Sequence, residues 1–268
     1  MALILDASFF ATVKTLISVH FIATLVVYAL IAFLGFSFGK RQLRSLTGRP
    51  VLVITAHPDD ECMFFAPAIL GHTVQRIGNY QSVHLLCLSN GNYYGKGKVR
   101  EKEILRSCQI LGLSVANVTV VNDNQLPDSP TADWKKETLE AHVQNAIEEI
   151  QPEVVYSFDG YGVSGHNNHI AVHQCIKNIF SSGNKNLPTG VRAVYFLESV
   201  SLWRKYLGVF DLPFTLLSSS HVAVAGPQEI IRAQKAMLAH RSQLEWFRFL
   251  YILLSRYMVI NSFSVHTL

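Results

Sequence analysis

Residues 51–61, Val51-Leu52-Val53-Ile54-Thr55-Ala56-His57-Pro58-Asp59-Asp60-Glu61, decide how this chain is read. Val51 to Ile54 form the continuous apolar run of a strand buried on both faces, the mark of a parallel sheet covered by helices. Directly after that run, one histidine and three carboxylates are packed into five residues. Carboxylates at a buried strand end would take up protons unless something compensates their charge, and a divalent cation is a natural compensator.

Outward from this stretch, apolar runs alternate with amphipathic ones. A helix is expected over about Cys62 to Ile77, a second strand over Val83 to Leu88, and a helix over Val99 to Leu111 closed by Gly112. A third strand is expected at Val118 to Val121, a helix from about Asp133 to Ile150, and a fourth strand at Val154 to Ser157. A helix from about Asn168 to Phe180 and a fifth strand at Val191 to Phe196 complete the pattern. This is the signature of βαβ units, so the expected fold is a Rossmann-like open, mostly parallel sheet with helices on both faces. Ligands of such sheets bind at the C-terminal ends of the strands. Two polar clusters fall there: residues 57–61 after strand one, and His166-Asn167-Asn168-His169 after strand four.

Catalytic zinc takes three ligands from His and Asp or Glu and leaves a position for water. His57, Asp60 and one histidine of the second cluster meet that count, and Asp59, diverging from Asp60 in a turn, is free to face the water. The competing reading of residues 57–61 is a polar helix start, in which aspartates cap free N–H groups. His173, four residues after His169, shares its helical face and offers an alternative histidine pair. Cys62, beside the first cluster, is a conceivable ligand. The four cysteines contain no C-x-x-C pair, which fits buried thiols in a reducing compartment.

Ala56-His57-Pro58-Asp59-Asp60-Glu61, together with Gly165-His166-Asn167-Asn168-His169, resembles the LmbE-like deacetylase family, from about Pro50 to the C-terminus. Gly97-x-x-Arg100-x-x-Glu103 with Leu111-Gly112 is similar to a further family stretch. His240-Arg241-Ser242-Gln243-Leu244 and Ser255-Arg256-Tyr257 are similar to its phosphatidylinositol-glycan branch. The resemblance implies His57, Asp60 and His169 as ligands of zinc or another divalent metal, Asp59 as general base and His166 as the group that steadies the oxyanion. Iron or manganese would also suit such ligands. It also implies the reaction: removal of the acetyl group from N-acetylglucosamine carried on phosphatidylinositol, the second step of GPI-anchor biosynthesis, at the endoplasmic reticulum. Ser89-Asn90-Gly91-Asn92 departs from the family by lacking the acidic residue of bacterial relatives. Arg100, at the family position, is a candidate for a polar substrate group. Asp123 and Asp128, after strand three, are candidates for sugar hydroxyls and equally for turns. Lys96 and Lys98 read more simply as a solvated basic loop. The alternatives are a deacetylase of another N-acetylglucosamine conjugate and a non-catalytic glycolipid-binding membrane protein.

The 268 residues carry 49% hydrophobic but only 16% charged side chains, with a net charge of +4. That charge, with no Lys/Arg block, argues against nucleic acid and suits an anionic membrane surface or phosphate-bearing substrate better. The sequence predicts a short lumenal N-terminus over 1–15, a transmembrane helix over 16–39, a basic juxtamembrane linker over 40–49 and the deacetylase domain over 50–268. Roughly 20 apolar residues span a bilayer, and Phe21 to Phe38 is almost wholly apolar. Lys40, Arg41, Arg44 and Arg49 after the span, against Lys14 before it, predict a cytosolic domain, and with it an unglycosylated Asn117-Val118-Thr119. Trp246 to Met258, too short to span, reads either as a helix packed on the sheet or as a membrane-surface helix.

Overall fold

The computed structural model describes residues 14–15, 18–19, 21–26, 29–30, 33, 49–73, 82–129, 131–181 and 190–268. Its centre is a mixed seven-stranded sheet: β1 (Val51–Thr55), β2 (Val83–Cys87), β3 (Val118–Val120), β4 (Val154–Phe158), β5 (Ala193–Leu197), β6 (His221–Val224) and β7 (Ile260–Thr267). The order is β3-β2-β1-β4-β5-β7-β6. The first five strands pair in parallel, and β7 runs antiparallel between β5 and β6. Every residue of β1 and β4 is buried, as their continuous apolar sequences require.

The principal helices are α1 (Asp60–Phe64), α2 (Ala66–Thr73), α3 (Gly97–Leu111), α4 (Lys136–Ile150), α5 (Asn167–Ile179), α6 (Pro227–Ala239) and α7 (Trp246–Leu254). The chain steps from β1 outward to β2 and β3, then returns past β1 to β4 and β5. Right-handed crossovers in these opposite directions place their helices on opposite faces. Accordingly α3 packs with α6, and α4 with α5. The direction of winding reverses between β1 and β4, and at that reversal their C-terminal ends open a crevice.

The helix expected from Cys62 to Ile77 is broken at Phe65, because Pro67 in the first turn of α2 has no N–H to continue the ladder of α1. Its last residues, 74–77, lie outside the described residues. So does most of the span expected over 16–39, and with it the linker over 40–48. Among the described residues no helix is long and apolar enough to cross a membrane. Strands β6 and β7 were not anticipated.

Candidate active site

The crevice between β1 and β4 holds both polar clusters. Leaving β1, the chain makes a tight turn in which Asp60 Oδ2 accepts the backbone N–H groups of His57 (2.8 Å) and Ala56 (3.1 Å). Asp59 at the apex has φ 115°, a backbone conformation unfavourable for any L-residue other than glycine. Its N–H donates to Glu61 Oε2 at 3.0 Å. Glu61 is wholly buried and also meets His240 Nε2 at 2.8 Å and the Ser107 hydroxyl. The strained turn is thus tied to α3 and to the end of α6.

Leaving β4, the chain passes a second left-handed residue, Val163 (φ 64°), before α5 starts. The Gly162 carbonyl accepts from His169 Nδ1 at 3.1 Å, and the Phe158 ring stacks on the His169 imidazole at 3.9 Å. These contacts fix the tautomer and plane of His169 and leave its Nε2 free. That buried nitrogen has no hydrogen-bond partner. It lies 3.3 Å from Asp60 Oδ1, at ion-pair distance. A Cβ on Gly162 would stand 2.8 Å from that of His169, so glycine is required there.

His57 meets Asn168 Nδ2 at 2.9 Å and Asp128 Oδ1 at 3.3 Å through Nε2. Its Nδ1 is 3.7 Å from Asp60 Oδ2. The ring centroids of His57 lie 4.8 Å from His166 and 5.5 Å from His169. One ligand atom each from His57, His166 and His169 can lie within 4.8 Å of the others. Segments a hundred residues apart therefore converge on one point.

The electrostatics suit a cation there. Burial holds His57 down at about 3, against the pull of Asp60, so the ring is neutral and can ligate. For Asp60, burial works upward but His169 and His57 outweigh it and keep the carboxylate ionised. For His169, burial works downward and the same carboxylate raises it above the usual value. His169 Nε2 and Asp60 Oδ1 face each other across 3.3 Å, two atoms that a divalent ion would join. Burial lifts Asp59 above the ordinary carboxylate range, although Arg248 and Arg100 oppose it. Burial and neighbouring His169 lower His166, whose Nδ1 accepts the Asn168 N–H at helix entry. His166 is therefore a neutral imidazole with its proton on Nε2.

The residues considered for substrate contact divide. Arg100 is buried: Nη1 donates to Asp128 Oδ2 (2.8 Å) and Gly91 O (3.1 Å), and Nη2 to Pro58 O (2.6 Å). It clamps together the loops that follow β1, β2 and β3. Asp128 joins this clamp to His57. Asp123 stands apart, accepting the Gln125 N–H in a turn and pairing with His142 on α4 at 3.1 Å. His173 donates from Nδ1 to the Phe158 carbonyl and packs on Phe196, outside the histidine cluster. Cys62 instead donates its thiol to the Asp59 carbonyl, while its sulfur, Glu61 and His240 form a second group close enough for an ion.

Four contributors escaped sequence reasoning. Asn168 lies within a quoted motif with no role assigned to it. Trp134, edge-on to His57 at 6.2 Å, and Phe158, stacked on His169, carry no local signal of their part in the site. Arg248 Nη2 reaches Asp59 Oδ2 at 3.1 Å from almost two hundred residues away, and nothing local in the sequence signals it.

The family described as PIG-L, GlcNAc-PI de-N-acetylase, matches residues 52–180, which include both clusters. The N-acetylglucosaminyl-phosphatidylinositol de-N-acetylase of Bos taurus is 44% identical over 218 residues, 81% of this chain and 83% of that one. A probable enzyme of the same name from Schizosaccharomyces pombe is 36% identical over 252 residues, 91% of this chain and 97% of that one. Among solved structures, N,N'-diacetylchitobiose deacetylase from Pyrococcus horikoshii superposes with a TM-score of 0.58 at 17% identity, covering 82% of this chain and 84% of that one, and shares the fold. The two clusters thus fall within the stretch common to these relatives, and the chain belongs to the PIG-L family of GlcNAc-PI de-N-acetylases.

Proposed function

We propose that this chain hydrolyses the acetamide of N-acetylglucosaminyl-phosphatidylinositol to glucosaminyl-phosphatidylinositol and acetate, a step of GPI-anchor biosynthesis, with zinc held by His57, Asp60 and His169. The observation that carries the reading is the buried, unpartnered Nε2 of His169 facing Asp60 beside a neutral His57. Three buried donors, two imidazoles and a carboxylate, are a set that catalytic zinc uses. Bound zinc lowers the pKa of water toward about 7 and polarises a carbonyl. Asp59, raised by burial, takes the proton of the attacking water and returns it to the departing amine. His166 Nε2–H donates to the acetamide oxygen as charge builds on it, a contact worth about 3 kcal/mol. Asn168 and Asp128 orient His57, and Phe158 holds His169 in plane. The proposed setting is the endoplasmic reticulum membrane, with this domain on the cytosolic side.

The test is acetate release from N-acetylglucosaminyl-phosphatidylinositol, with chelation and metal add-back. Wild type should lose turnover on chelation and regain it with zinc. Asp59→Asn should retain metal and fall by at least ~100-fold, the scale of lost general-base catalysis. An active Asp59→Asn enzyme would remove the base from the scheme.

A further inference from the structure

Helix α7 is amphipathic in the reverse sense. Tyr251 and Ile252 face the core, and Tyr251 donates its hydroxyl to the Met63 carbonyl. Trp246, Phe247, Phe249, Leu250, Leu253 and Leu254 stand 46% to 74% exposed. Their spacing (i, i+1, i+3, i+4, i+7, i+8) puts them on one continuous stripe. The stripe extends onto the neighbouring segment 202–217. Gly208 lies against the Leu254 carbonyl, and Lys205 Nζ stands 5.6 Å over the Tyr251 ring. There Leu202, Trp203 and Leu217 are 73%, 59% and 89% exposed, and Trp203 meets Phe214 edge-on at 5.7 Å. An apolar surface this contiguous marks an interaction site.

We propose that α7 and segment 202–217 together form a docking surface for the lipid bilayer, one that sets the mouth of the catalytic crevice against the leaflet holding the substrate. This rests on the glycolipid reading above, and several observations favour lipid over protein as the occupant. Arg248, on the opposite side of the same helix, touches Asp59, so one helix carries the apolar stripe on its outer face and reaches the proposed base from its inner one. A cavity of about 510 Å³ runs from Asp159 and Ser164, beside the His166 loop, to Leu202 and Lys205 at the edge of the stripe. Its polar lining, Asp159, Ser164, Ser199 and Ser201, lies beside that edge, where a headgroup would meet hydrogen-bonding partners. Lys205 beside the stripe complements anionic phosphatidylinositol headgroups, whereas Arg204 is held by Asp211. Exposed Trp, Phe and Leu on one helix face are the composition of interfacial helices. Finally, the span that the sequence predicts ends at Phe38, and an anchor there would hold β1 only residues 39–50 away from a membrane.

The experiment uses the full chain in vesicles of phosphatidylcholine and phosphatidylinositol with brominated acyl chains. The chain has three tryptophans, and Trp134 is buried near His57. In Trp203→Phe, fluorescence from Trp246 should be quenched by bromine, whereas the Trp203→Phe/Trp246→Phe control should not be. Leu250→Glu/Leu253→Glu should turn over vesicle-borne glycolipid at least tenfold more slowly, with turnover of water-soluble N-acetylglucosaminyl-inositol phosphate unchanged. Absence of Trp246 quenching overturns the proposal, including where a second copy or another protein shields the stripe. A loss shared equally by both substrates, or no loss, overturns it as well. If wild type turns over neither substrate, the deacetylase reading fails, while the quenching still decides the docking surface on its own.

Discussion

Asp59 combines three demands that conflict elsewhere in proteins. It adopts a left-handed backbone, it is buried, and it carries a carboxylate that must exchange a proton. Glu61 resolves the first demand by accepting the Asp59 N–H on one oxygen while His240 and Ser107 hold the other. Burial works against its charge, yet the His240 contact lowers Glu61 below its ordinary value. Glu61→Ala should therefore act on both stability and rate. It leaves His240 buried without its carboxylate, a loss of roughly 3–5 kcal/mol for a broken buried pair, and releases the Asp59 turn. The denaturation midpoint in urea should fall with unchanged slope, and turnover of the refolded fraction should fall as well. A change under about 1 kcal/mol would show that the pair contributes little beyond its own desolvation.

At the scale of elements, the loops after β1, β2 and β3 meet at Arg100, and the geometry there depends on Gly91. A Cβ at Gly91, where φ is +73°, would stand 2.4 Å from Arg100 Nη1. Gly95 has nearly the same backbone, φ +70°, with nothing within 4 Å. The pair separates conformational strain from collision. Gly95→Ala should cost about 1 kcal/mol from the left-handed backbone alone, whereas Gly91→Ala should add about 1–3 kcal/mol of overpacking and lower activity by displacing Arg100 from Asp128. Equal losses of stability in the two variants, read by thermal melting, would contradict the clamp. The sequence carried β1 and β4 openly, because strands buried on both faces are written as unbroken apolar runs. The ligand candidates were legible for a related reason: a charged cluster directly after such a run has few other uses. Arg248, Asn168 and Trp134 were not legible, since their parts in the site arise from packing between distant segments. Strand β7 was hidden too, because Ile260–Thr267 alternates only weakly and joins the sheet antiparallel, outside the βαβ repeat.

For the whole molecule, the metal and the fold should be linked through protons. In the metal-free chain His57 stays neutral down to about pH 3 because burial disfavours its charge, whereas an unfolded imidazole titrates near 6.5. Between those values the unfolded state holds the extra proton, so stability is full above pH 6.5 and is lost as pH falls toward 3. One proton corresponds to about 1.4 kcal/mol per pH unit, giving a loss of about 2 kcal/mol between pH 6.5 and 5 from this residue. His169 has the opposite sign: its raised value adds stability below pH 6.5 that disappears as pH rises through the folded value, so it adds no slope in the acid window. Divalent metal demands both rings without a competing proton, and binding should stabilise the native state by mass action while expelling the His169 proton. Chelated wild type should therefore melt at progressively lower temperature from pH 6.5 to 5, and His57→Asn should show a visibly flatter profile. Adding zinc near neutral pH should raise the melting temperature and release protons into a weakly buffered indicator solution. Parallel profiles for the two proteins would mean that His57 is not held neutral by the crevice, and zinc binding without proton release would mean that His169 does not surrender its proton to the ion.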